Sequence, residues 1–405
     1  MRKASLTPSH IAGVLLLLAV IIVGAFLIFS GPSQESGRTP TPQSPEPQPP
    51  TPIPTENTPL PSPPRPVKQN WVLLTATRGT IPYAVHSTLA GLLNDTLREY
   101  LALTVQSVGA GAVESTTSWD EGIGDLALTS LNIVYQYSME VEAWALKAPK
   151  RSNEMSVIIY QFPVIYTVFV TEDLAERVKC WRDVGTVGGK GGEGVYVPPP
   201  GTGPHPVFRR VFSTLLGVRS TDLEQHLNLH YFPFARLPDE LAAGRVKIIW
   251  GAGDVTGPAP WLASALARVG YKMVAVPPCA DELERLKLHS DLTLLSLDLT
   301  PYNVKTRDGK TVIELTVSTP MGLLGSTKLS KEHVYQFVKA HFANCRAIEE
   351  AVGGMRGFCA WGLELNLRAF KTQSVYGAKV HPGTALAFKE LGYDLERMGI
   401  LVARE

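Results

Sequence analysis

The chain has little net charge and lacks the motifs that common catalytic sites carry. Its 38 Lys and Arg against 37 Asp and Glu leave a formal net charge of +1, and charged residues make up only 19% of 405 positions. A bulk electrostatic case for nucleic acid is therefore missing. The four cysteines, Cys180, Cys279, Cys345 and Cys359, form no C-x-x-C pair. That argues against a thiolate zinc site or a thioredoxin-like redox motif. Neither G-x-S-x-G nor H-E-x-x-H occurs. The glycine run Gly188-Gly189-Lys190-Gly191-Gly192 lacks the dinucleotide fingerprint and reads as a turn. His226 and His230 stand at i, i+4 spacing on an expected helix, yet no nearby cysteine or acidic cluster completes a metal set. No catalytic residue, cofactor or metal is expected.

Apolar residue types, at 44%, are ample for a sizeable core. Ile11 to Phe29 is an uncharged apolar run, about the length that crosses a hydrocarbon core of ~30 Å. Arg2 and Lys3 precede it, and no Lys or Arg follows until Arg38. The positive-inside bias puts the N-terminus in the cytoplasm and the rest outside. A cleaved signal peptide is the alternative, but its apolar region usually spans only about 7–15 residues. Residues 1–30 are thus expected to be a single-pass anchor or signal. Residues 31–68 are expected to be a linker. Gly31 to Val67 alone holds fourteen of the 32 prolines, a composition that buries no core and extends as polyproline II. At ~3.1 Å per residue such a spacer reaches roughly 100 Å from the bilayer.

From Gln69 onward short apolar runs alternate with amphipathic stretches. Strands are predicted over Trp71–Ala76, Leu103–Val108, Asp125–Thr129, Gly194–Val197 and Val246–Trp250. Helices are predicted over Tyr83–Tyr100, Val113–Glu121, Phe208–Leu216 and Trp261–Val269. Ser156–Val170 reads as two strand runs interrupted at Phe162-Pro163. The alternation implies α/β folding on parallel sheets. Two such sets joined by extended strands, near Phe162-Pro163 and Pro277-Pro278, imply two lobes. Lobe one is expected at 69–165 and 290–405, lobe two at 166–289. Ligands of such sheets sit beyond the carboxyl ends of the strands.

Five strand-to-helix loops reach that end. Thr75 to Tyr83 offers Thr80 as N-cap, Pro82 in the first turn, Gly79, and Arg78 as a fixed charge for a carboxylate. Gly109 to Glu114 brings Ala110 and Gly111 close to a ligand. Thr129 to Asn132 offers Ser130, as a ligand contact or merely a cap. Pro198 to Pro204 offers Thr202 and Gly203, without the lysine of a nucleotide P-loop. Gly251 to Asp254 adds Asp254. The expected ligand-binding set is Arg78, Gly79, Thr80, Tyr83, Ala110, Gly111, Ser130, Thr202, Gly203 and Asp254.

These loops, in this order, resemble the TAXI-type solute receptors of TRAP transporters across residues 71–393. Leu74-Thr-Ala-Thr-Arg-Gly-Thr-Ile-Pro-Tyr83 stands where that family carries its first Gly/Thr-rich loop. Gly111-Ala-Val-Glu114, Gly122-Ile-Gly-Asp-Leu-Ala127, Pro200-Gly-Thr-Gly-Pro204 and His381-Pro-Gly-Thr384 are similar to later family elements. The first loop has fewer glycines than usual and gains Arg78, and Pro204 replaces a usual threonine, so the ligand cannot be copied over. The resemblance implies a two-lobed, type II periplasmic-binding-protein-like fold with hinged lobes, on the extracytoplasmic face of the membrane. It also implies a small solute, glutamate-like or a dicarboxylate, and a TRAP membrane permease as partner. A sensor of the same fold is the alternative. An enzyme on this scaffold is a third reading, and no nucleophile or acid–base pair can be named for it.

Export oxidises thiols. Four cysteines allow three connectivities. Cys345 with Cys359 closes a short loop, and Cys180 with Cys279 staples the base of lobe two. Four buried free thiols are the other reading.

Overall fold

A computed structural model describes residues 67–109, 111–141 and 148–404. The expected anchor and nearly all of the expected linker lie outside the described residues, as does Ala110. Among the described residues no helix is long and apolar enough to cross a membrane.

The first strands follow the alternation. β1 (Gln69–Thr75) buries Trp71, Leu73 and Leu74. It pairs in parallel with β2 (Leu101–Ser107) and with β3 (Leu126–Ser130). Parallel neighbours need a helical crossover, and the helices Ile81–Thr96 and Ala112–Asp120 supply the two. These strands and helices begin within two residues of the sequence expectation.

β4 (Met155–Thr171) is buried along its whole length except the last residue. Seventeen residues of strand span roughly 55 Å, long enough to pass from one lobe into the other. The expected break at Phe162-Pro163 is a bulge within one strand. Met321 pairs with Phe162 and Gly322 with Tyr160, which leaves Gln161 over.

The second lobe adds β5 (Val195–Tyr196), β6 (Leu229–His230), β7 (Ile248–Asp254), β8 (Gly257–Pro258) and β9 (Met273–Val276). It continues through β10 (Thr293–Asp298) and β11 (Lys305–Thr306). β12 (Val312–Ser326) then returns, antiparallel to both β4 and β3. The main path of the sheet runs β2-β1-β3-β12-β4-β7-β5-β6.

Two expectations change here. The second crossing is β12, not the segment at Pro277-Pro278, which only joins β9 to the helix Ala280–Leu286. Leu297, Leu299, Tyr302 and Val304 pack with Phe169, Tyr196 and Leu262 in the second lobe's core. The stretch from Leu297 to Val304 therefore does not pack with lobe one. His226 and His230 also part company: His226 ends the short helix Leu223–His226 and His230 lies in β6.

The first lobe is braced by paired polar groups at the bulge. Asn366 donates to the Tyr160 carbonyl and accepts from its amide, both at 2.7 Å. Thr75 donates to His86 Nδ1, His86 Nε2 donates to Gln161 Oε1, and Gln161 Nε2 donates to His341 Nε2. His341 Nδ1 donates to the Phe337 carbonyl. Both histidines are fully buried, and burial, the first cause, lowers each pKa to about 4. This chain of bonds suits two neutral rings.

Cys180 is bonded to Cys279 and Cys345 to Cys359, with Cα atoms 5.3 and 5.2 Å apart. Cys345 lies beyond the end of the preceding helix. It opens a helix of its own, Cys345–Ala351, after Lys331–Ala343 ends.

Candidate functional site

Four helices start at the carboxyl ends of strands and turn their N-termini to one cavity between the lobes. Two belong to the first lobe. Thr80 caps Ile81–Thr96, accepting from the Tyr83 amide at 3.4 Å and donating to the Thr77 carbonyl at 2.7 Å. Gly111 caps Ala112–Asp120. Two belong to the second lobe. The loop after β5 turns at Gly201, whose φ of +92° favours glycine, and enters Pro204–Leu216 through Thr202 and Gly203. Ala259 caps Pro260–Arg268. First-turn amides have no carbonyl partner within their own helix, so positive dipole ends converge from both lobes.

Thr80, Ile81, Gly111, Ala112, Thr202, Gly203, Pro204, Ala259 and Trp261 line this cavity with residues of the crossing strands, Val164, Tyr166 and Met321. Its volume is about 60 Å³, room for a handful of waters. The lobes are thus closed on one another. Glu114 of the first lobe contributes to this closure: its carboxylate lies against Gly201 of the second, where a Cβ would come within 2.6 Å of Oε1.

Four of the ten expected residues, Thr80, Gly111, Thr202 and Gly203, line the cavity. The others do not. Arg78 and Gly79 are exposed on the turn before the cap, and the Arg78 guanidinium stands 5.9 Å from the Tyr83 ring centre. The cap and first turn face the cleft, and the loop ahead of them points to solvent. Tyr83 is half-buried outside the cavity. Ser130 is buried and donates to Asn132 Oδ1 at 2.7 Å. Asp254 is buried and accepts from the Thr256 amide and hydroxyl at 2.7 and 2.6 Å, closing the β7–β8 turn.

Sequence reasoning missed Tyr166, Trp261, Phe234 and Met321 on the wall. Tyr166 matters most. It is fully buried, its ring stacks on Trp250 at 5.6 Å, and its hydroxyl has no hydrogen-bond partner. Burial pushes its phenol pKa up, so it remains a donor. A usable signal was present: Val164 and Tyr166 are two apart on a strand that must pass beneath the cleft, and so share a face.

Among the described residues no Asp, Glu, Lys, Arg or His lines the cavity. One group of three metal-capable side chains occurs among them, Cys180, Cys279 and Glu282. The cysteines are bonded to each other, and Glu282 accepts from the amides of Trp181, Arg182 and Cys279. That carboxylate is a cap rather than a free ligand. Hydroxyls, amides and apolar walls can bind and orient a small molecule.

The sequence profile described as the NMT1-like family matches residues 73–392, most of the chain. The chain belongs to the NMT1-like family. No curated protein matches it by sequence. Among solved structures this NMT1-like chain is similar to the periplasmic binding protein BugD, at 16% identity and a TM-score of 0.45, over 84% of this chain and 100% of that one. It is similar to a TctC solute binding protein from Polaromonas at 13% identity and 0.41, over 78% and 97%. A histidine kinase sensor domain with similarity to periplasmic binding proteins matches at 11% and 0.40, over 72% and 97%. In this NMT1-like chain the crossing strands β4 and β12 join two α/β halves, and helix N-termini from both face the cavity between them.

Proposed function

We propose that the chain is an extracytoplasmic solute receptor, not an enzyme, that captures a small carboxylate-bearing solute between its lobes and passes it to a membrane permease of the TRAP type. The observation that carries this reading is the convergence of four helix N-termini, two from each lobe, on one cavity without a catalytic group. Amides and dipole ends at helix starts favour an anion. Contributions from both lobes let a bound anion hold the closed form, which is what a permease can distinguish from the open one. The TAXI-like order of loops supports the TRAP assignment. On this reading residues 11–29 hold the receptor to the membrane, N-terminus inside, and the proline-rich tract spaces it from the surface.

A melting-shift screen against carboxylates tests the receptor function. A ligand that binds only the folded protein raises its stability by RT ln(1 + [L]/Kd). Absence of any shift at millimolar carboxylate sinks the reading. Transport tests the partner: uptake of the same solute that persists after deletion of this chain would remove the permease role.

A further inference from the structure

We infer that the solute is a monoanion with an uncharged, apolar body, and that Tyr166 is the side-chain donor that meets one of its oxygens. This rests on the receptor reading and narrows it. The cavity is chemically lopsided. Its polar equipment is made of donors: the Ile81 amide, the first-turn amides of the helix starting at Ala112, the His205 amide, since Pro82, Pro204 and Pro206 carry no N–H, and the Tyr166 hydroxyl. The hydroxyls of Thr80 and Thr202 are already directed to the carbonyls of Thr77 and Pro199, both at 2.7 Å. The remaining walls are apolar, among them Leu128, Val164, Met321, Phe234 and Trp261.

A buried hydroxyl with no partner is rare in native structures and calls for an explanation. Tyr166 lines the cavity at the crossing strand, held by its stack on Trp250. A ligand oxygen there would complete its hydrogen bonding. One anionic group suits donors and dipole ends. A second charge does not fit. An ammonium would face the positive ends of helices with no carboxylate on the wall. A second carboxylate would be stripped of water against aliphatic and aromatic carbon, a heavy cost without a paired cation. Amino acids of the glutamate type and dicarboxylates are therefore disfavoured against a monocarboxylate with a branched aliphatic or aromatic body, which the closed 60 Å³ cavity admits only with the lobes parted further.

Calorimetric titration of the purified full chain separates the possibilities. The probes are 3-methylbutanoate and phenylacetate, the multiply charged glutarate and L-glutamate, and the neutral amides of the first two acids. At least one monoanion should bind, with its amide at least about 10-fold weaker and both glutarate and L-glutamate at least about 100-fold weaker. Tyr166→Phe should weaken the monoanion by about 10-fold, the worth of one hydrogen bond. It should leave the melting temperature of the free protein unchanged or higher, because the hydroxyl it deletes has no partner in the fold. Tighter binding of glutarate or L-glutamate overturns the inference and leaves the receptor reading standing. An unchanged monoanion affinity in Tyr166→Phe overturns the role of the tyrosine. Failure of every carboxylate to bind overturns the receptor reading and the inference with it.

Discussion

Gly111 of the first lobe and Gly203 of the second meet backbone to backbone across the cleft. A Cβ on Gly111 would lie 2.9 Å from the Gly203 amide nitrogen and 3.2 Å from the Thr202 Cα. The φ of Gly111 is 173°, extended backbone that any residue adopts, so the glycine is required by the contact alone. Gly111→Ala should prop the lobes apart and leave each lobe intact. Overpacking of this kind costs about 1–3 kcal/mol, which would appear as a roughly 5- to 150-fold loss of solute affinity. Small-angle scattering should find the liganded variant less compact than the liganded parent. Equal compaction and equal affinity would contradict a closing role for this contact.

The arginine that the sequence offered as an anion partner makes a different forecast. Arg78 is exposed and lies outside the cavity wall. A charge held in water rather than on the wall is weakened by the solvent around it. Arg78→Ala should therefore change the solute dissociation constant by less than about twofold. A loss nearer the ~1.5–3 kcal/mol of a charge-assisted hydrogen bond would place the guanidinium on the ligand after all.

What the sequence disclosed follows from what local pattern can encode. Thr80, Gly111, Thr202 and Gly203 were legible because caps and tight turns have strong residue preferences, and parallel α/β sheets bind at one end. The second crossing was not legible. β12 carries Pro320, Gly322 and Gly325, which depress strand propensity. Its extended form is decided by β4 alongside: Pro320 lies opposite Pro163, and Gly322 packs so closely on Ile159 and Tyr160 that a side chain would collide with their backbone. Tyr166 was hidden for a related reason. β4 is buried on both faces, so its period of two leaves no polar–apolar alternation to read.

The two disulfides should separate stability from binding. The Cys345–Cys359 loop carries Gly354, where a Cβ would stand 2.8 Å from Asp254 Oδ2 of the second lobe and 3.4 Å from side-chain carbons of Ile81 and Val85. Replacing both cysteines with alanine should cost about 3 kcal/mol of stability, as expected for a loop of about 15 residues, and should also weaken solute binding by loosening this cross-lobe seat. The Cys180–Cys279 bond spans 99 residues, and neither cysteine lines the cavity. Its double alanine variant should lose more stability, about 4–5 kcal/mol in the chain-entropy account, with affinity unchanged. Urea unfolding and calorimetry on both variants decide it. Equal affinity losses would sever the link between the Gly354 turn and closure.

Stability should fall in mild acid because of the buried histidines. His86 and His341 hold their pKa near 4, chiefly through burial, whereas in the unfolded chain a histidine titrates near 6.5. Between those values the unfolded state binds more protons than the folded one, so stability rises with pH across that window and is lost as pH falls from about 6.5 toward 4. The Gln161 bridge fixes the sense: its Oε1 accepts from His86 and its Nε2 donates to His341, so a proton added to His341 Nε2 would face an N–H donor. The full shift is worth about 3 kcal/mol per histidine. His205, also lowered to about 4 with burial as the first cause, adds a contribution of the same sign. Urea midpoints between pH 7.5 and 4.5 should therefore drop steeply. His341→Gln should flatten the slope by about one proton, since glutamine cannot titrate. A midpoint that stays level across this range would mean that the histidines are not neutral in the folded protein.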